Sequence, residues 1–149
     1  MKKVLSIAVT AMLLSACGGD LKLPDPIDGI TPGTQKDFTA RAGDKVFFDF
    51  DRSDIRSHDE KTLKLQALWL NTYKDTNLKI EGHCDERGTR EYNQALGARR
   101  ATSVKKFLEN EGVKSTRLST ISYGKERPEV LGDTEKAWSQ NRRAVSVVK

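Results

Sequence analysis

The segment Gly82-His83-Cys84-Asp85-Glu86-Arg87-Gly88-Thr89 brings an imidazole, a thiol, carboxylates and a guanidinium into one short stretch, and Arg100 follows shortly after. Three chemistries compete for such a cluster. A metal site is short of ligands: the only histidine besides His83 is His58, so three His cannot converge, and a Cys/His/Asp set would need distant help. A nucleophilic Cys–His pair needs facing side chains, whereas adjacent residues at a strand end point in alternating directions. No Gly-x-Ser-x-Gly and no phosphate-binding Gly-rich loop is present. No cofactor and no metal are expected. Recognition of a charged ligand is the third: Asp85, if it faces Arg100 across a pocket, suits a zwitterion, its carboxylate on the arginine fork and its ammonium on the aspartate.

Elements must place those two residues together. Leu78–Gly82 alternates and predicts a strand, and Thr89 is a fitting N-cap for a helix running to about Glu111 and ending at Gly112. The loop thus joins a strand end to a helix start, where backbone N–H groups converge. Centring a helical wheel on Leu96 brings Phe107, Val104 and Leu108 within about 120°, and the same arc holds Asn93 at about 60° and Arg100 at about 40°. Arg100 therefore lies on the stripe that should face the sheet, where an unpaired charge is costly. The wheel alone leaves two readings open: an internal pair with Asp49, Asp51 or Asp85, or a ligand site.

The remaining elements complete one domain. Lys45–Asp51 alternates with Val46, Phe48 and Phe50 on one face. Ser57-His58-Asp59-Glu60 has capping-box spacing before a helix carrying Leu65, Leu68, Trp69 and Thr72. Leu118–Tyr123 and Ala144–Val148 read as two further strands. Each strand is apolar mainly on one side, which predicts an α/β fold of the α+β type: a two-layer sandwich, with a mixed sheet of about four strands and helices on one face. Residues 44–149 suffice for one core.

Ahead of that domain, Met1-Lys2-Lys3, the apolar Val4–Leu14 and the small-residue ending Leu14-Ser15-Ala16 before Cys17 form a secretory signal over residues 1–16. Residues 17–43 hold Pro24, Pro26 and Pro32 and several glycines without an apolar period, and are expected to be a flexible tether. Phe38 leaves residues 36–43 open between tether and a leader packed on the domain. The surplus of 26 Lys+Arg over 21 Asp+Glu is mild, and the charges are interleaved. With aromatics at 7%, no nucleic-acid partner is expected.

Two resemblances sharpen the expectation. Leu14-Ser15-Ala16-Cys17 resembles the lipobox of bacterial lipoproteins, which implies acylation of Cys17. Gly18, in place of an Asp there, implies passage to the outer membrane. Gly82–Gly88, Tyr92-Asn93, Leu96-Gly97, Arg99-Arg100-Ala101 and Val104 resemble the peptidoglycan-binding signature of OmpA-like domains, and within them the peptidoglycan-associated lipoproteins of the Tol–Pal system. Phe48–Asp51, Ser122–Pro128 and Asn141–Val145 extend the match. The resemblance implies a non-enzymatic lipoprotein on the periplasmic side of the outer membrane. It would bind the meso-diaminopimelate stem peptide of peptidoglycan through Asp85 and Arg100. Asn93, Phe50, Asp51, Asn141 and Arg142 would border the groove, and Tol proteins would be exchange partners in envelope integrity and cell division. Cys84 departs from the Ala or Thr common in the family and would be the only free thiol, a site for intermolecular pairing. The alternative of a different class is a periplasmic enzyme that cleaves peptidoglycan.

Overall fold

The computed structural model describes residues 20–149; the expected signal segment and Cys17 lie outside them. In chain order the elements are α1 (Gln35–Arg41), β1 (Lys45–Phe47), α2 (Glu60–Thr72), β2 (Leu78–His83), α3 (Arg90–Asn110), β3 (Leu118–Gly124), α4 (Glu135–Asn141) and β4 (Arg143–Val148), with single 3-10 turns at Ser57–Asp59 and Ser115–Arg117. The four strands form one mixed sheet in the order β1-β4-β2-β3. β4 runs antiparallel to both β1 and β2, and β2 and β3 are parallel, joined by α3. No helix among the described residues is long and apolar enough to cross a membrane.

The alternation read from β2 is the alternation observed. Leu78 and Ile80 are buried in a core with Leu63, Trp69, Leu70, Val104 and Leu108, while Lys79 and Glu81 point the other way and pair with each other. Thr89 caps α3, its side chain accepting from the Tyr92 N–H, and Gly112 ends the helix at φ +94°. Of the expected strand Lys45–Asp51 only Lys45–Phe47 is in the sheet. The chain turns away after Phe48, whose N–H still donates to the Arg142 carbonyl at 2.9 Å. Asp59 ends a 3-10 turn, and α2 begins without a side-chain cap.

The boundary expected at residue 44 falls too late. Residues 36–43, open in the sequence between tether and packed leader, continue α1 from Gln35 and pack on the domain, and Phe38 is fully buried with its ring edge-on to Trp69 at 5.0 Å. The buried Asp37 explains why this segment docks. Its Oδ2 accepts from Trp69 Nε1 at 2.8 Å and from the Gly33 N–H at 3.1 Å, and Arg41 pairs with it. Burial disfavours the Asp37 charge, but those donors outweigh it and hold its pKa below the usual carboxylate range. Arg41 also donates to the Pro24 carbonyl at 2.7 Å, and Leu23 packs on the core, so the irregular stretch from Leu23 onward is fastened to the domain.

Candidate functional site

Close backbone approach sets the position of Arg100. A Cβ on Gly82 would stand 1.8 Å from the Gly97 carbonyl oxygen, and one on Gly97 would stand 2.3 Å from Ser122 Oγ. Glycine at both places lets α3 lie directly against β2. Arg100, one turn further along, then meets the end of β2 and the chain leaving β1. Its Nε donates to the Arg52 carbonyl at 2.8 Å, Nη1 to His83 O at 2.9 Å and Nη2 to Asp49 O at 3.1 Å. The residue is fully buried. The internal ion pair with Asp49, Asp51 or Asp85, one of the two readings the helical wheel leaves open, does not form; three carbonyls solvate the guanidinium instead. Burial pushes its pKa down, offset by Cys84 and Asp85 nearby, and an arginine stays charged under those conditions.

Asp85 has the opposite character: it is crowded with cations. Oδ1 accepts from the Arg87 N–H at 3.1 Å and from Arg87 Nε at 3.2 Å; Oδ2 accepts from Arg87 Nη2 at 2.7 Å and from Arg142 Nη1 at 3.3 Å. Burial raises the pKa of this carboxyl, and the two arginines more than reverse that, so the group is held ionised. The Arg87 guanidinium is itself clamped between the rings of Phe50 and Trp138, 3.9 and 4.0 Å from their centroids. Trp138 Nε1 in turn donates to Glu86 at 3.1 Å.

A cavity of about 400 Å³ opens between these groups, lined by Phe50, Asp51, Asp85, Arg87, Asn93 and Arg100 together with Cys84, Gly88, Tyr92 and Leu96. Five of the seven expected binding residues thus come together. Asn93 donates from Nδ2 to the Arg87 and Thr89 carbonyls at 2.8 and 3.1 Å, which fixes the loop shape. Asp51 adopts a left-handed φ of +59° at the rim and accepts a hydrogen bond from the Tyr92 hydroxyl. Asn141 and Arg142 do not line the cavity. Asn141 Oδ1 accepts from the Glu129 and Val130 N–H groups, and its Nδ2 donates to Val130 O, so the side chain is spent on holding that loop. Arg142 donates to Phe48 O at 2.9 Å and pairs with Glu135 as well as Asp85; it positions Asp85 from behind.

His83 and Cys84 point apart, as neighbouring residues at a strand end should. A register shift at Gly82/His83 turns His83 against Tyr123, ring centroids 5.5 Å apart, while Cys84 donates from Sγ to Asn93 O. Burial pushes the Cys84 thiol up to about 11. A buried, protonated thiol does not serve the intermolecular pairing expected of it. Residue patterning gave no role to Arg87, Tyr92 or Trp138. Arg87 and Tyr92 stand inside the motif that resembles the family signature; Trp138 reaches the site from a helix far along the chain, and no local signal marks it.

Residues 47–142 match the OmpA family, and the chain belongs to that family. Within it, the chain is 51% identical over 150 residues to the peptidoglycan-associated lipoprotein of Mesorhizobium japonicum, covering 95% of this chain and 89% of that one. Against the protein of the same name from Agrobacterium fabrum the identity is 47%, covering 95% of this chain and 85% of that one. Among solved structures, the crystal structure of the peptidoglycan-associated lipoprotein from Burkholderia pseudomallei superposes with a TM-score of 0.70 at 40% identity, covering 71% of this chain and 90% of that chain.

Proposed function

We propose that this protein is a lipoprotein of the outer membrane that grips the cell wall non-covalently, through the diaminopimelate-bearing stem peptide of peptidoglycan. Cys17 carries the lipid and the domain faces the periplasm. In the envelope the protein works with Tol proteins in maintaining integrity and in constriction at division. The observation that carries the reading is Arg100: a buried guanidinium on the cavity wall with no carboxylate within ion-pair reach among the described residues. Three of its N–H groups have protein acceptors. An arginine has five, so two remain for a ligand carboxylate. Asp85 takes the ligand's ammonium, and Phe50, Asp51 and Asn93 border the bound peptide. The names of the relatives support wall association. The wall-cleaving alternative gains no general acid from Asp85, the buried carboxylate of the cavity: arginines keep it ionised, the wrong state for protonating a leaving group near neutral pH.

Purified protein mixed with diaminopimelate-type sacculi is expected to sediment with them and to release no soluble muropeptides. Protein left in the supernatant would contradict the binding role, and released muropeptides would restore the enzyme.

A further inference from the structure

The carboxylate assigned to the ligand's ammonium is already filled. A carboxylate offers about four lone-pair sites, and Asp85 accepts from four donors: the Arg87 backbone, Nε and Nη2, and Arg142 Nη1. Of these, Arg142 is immobilised by Phe48 O and Glu135 and is buried. The Arg87 side chain is different. It is 30% exposed, lines the cavity, and is followed by Gly88 at φ +95°. It lies on the carboxylate with two parallel hydrogen bonds and on two aromatic faces, the arrangement that a seat for a cation takes.

We infer that Arg87 is the site's resident cation and a specificity-determining residue: it occupies Asp85 between the Phe50 and Trp138 rings when no ligand is bound, and the ligand's ammonium displaces it. This rests on the stem-peptide reading above. A ligand that uses Asp85 must find the seat vacant, so its apparent affinity is lowered by the fraction of time Arg87 occupies it. A ligand without a free amine bypasses the competition and receives no benefit when Arg87 is removed. Displacement also strips the guanidinium from Trp138. The other tryptophan, Trp69, is fully buried in the core, so a change in emission on binding reports the exchange.

The full chain in detergent micelles, as wild type and as Arg87→Gln, is titrated by calorimetry with a diaminopimelate stem peptide and with the same peptide acetylated on its free amine. Arg87→Gln is expected to bind the free-amine peptide about 10-fold tighter or more and the acetylated peptide as wild type does. Arg87→Lys keeps a competing charge and is expected between the two. Tryptophan emission should shift on ligand binding in wild type and barely move in Arg87→Gln. If wild type binds and a folded Arg87→Gln, checked by its melting, binds the free-amine peptide equally or more weakly, the resident-cation role is overturned while the stem-peptide reading stands. If neither protein binds, that reading fails and takes this inference with it.

Discussion

Arg100 carries a buried charge that only backbone carbonyls and cavity contents can answer, and this sets its energetic role. If Arg100 holds the ligand carboxylate as proposed, truncation removes a charge-assisted, fork-shaped contact in a desolvated site, and one partner of such a pair is worth about 2–5 kcal/mol of binding, roughly 30-fold to several thousandfold. Arg100→Lys should recover little, because a compact ammonium cannot reproduce the planar fork. The same substitutions also strand the carbonyls of Arg52, His83 and Asp49, so some stability is expected to go as well. Affinity for the stem peptide is therefore measured well below each variant's melting temperature. A folded Arg100→Lys that binds like wild type would contradict the assignment. The helical wheel had placed Arg100 on the sheet-facing stripe, and there it is. What the wheel could not supply was its partners: a guanidinium on a core face implies acceptors, but nothing in the residue pattern says carbonyls rather than carboxylates. Asn141 shows the reverse failure, since a side chain in a family motif carries no sign of whether it faces a ligand or caps its own loop.

At the scale of elements, strands β2, β3 and β4 and helix α3 could be read from the sequence because their apolar periods are long and their caps are conventional. α1 and α4, each seven residues, were not. Both begin at a capping threonine, Thr34 and Thr134, but neither is long enough to show a helical period, and α1 follows a Pro/Gly-rich run that masks it. The N-terminal segment is consequently stronger than its composition suggests. Gln35 Oε1 accepts from the Val148 N–H at 2.6 Å and its Nε2 donates to Ser146 O, which ties α1 to β4, while the Gly33 N–H serves the buried Asp37. Deleting Thr31–Gln35 removes a cap worth about 1 kcal/mol and a donor to a buried carboxylate worth about as much or more. Melting of the deleted protein should fall by roughly 10 °C. An unchanged midpoint would show that the segment contributes no native contacts.

Over residues 20–149, the expected mixed sheet of four strands is the one observed, and the buried polar groups add a dependence on acidity. His83 sits under Tyr123 with neither ring nitrogen hydrogen-bonded; burial, helped by Arg143, lowers its pKa from 6.5 to about 4. The unfolded chain takes up a proton near pH 6.5, and the folded protein resists until about 4. The neutral ring's contribution is complete above the unfolded value and is lost as pH falls through that window, by up to about 3 kcal/mol. The depressed carboxylates Asp37 and Asp85 lose their contributions at more acidic pH, below the usual carboxylate range. Urea unfolding between pH 7 and 4.5 should therefore show a steeper loss in wild type than in His83→Gln; parallel curves would show that His83 contributes nothing to the acid sensitivity.

The proposed grip of a zwitterion between Asp85 and Arg100 is tested most directly by two peptides. Wild-type protein is titrated with the diaminopimelate stem peptide and with its lysine analogue, identical except for the missing second carboxylate. A carboxylate on Arg100 predicts that the diaminopimelate peptide binds at least about 30-fold more tightly, and that Arg100→Ala barely distinguishes the two. Equal wild-type affinity for both peptides would contradict it.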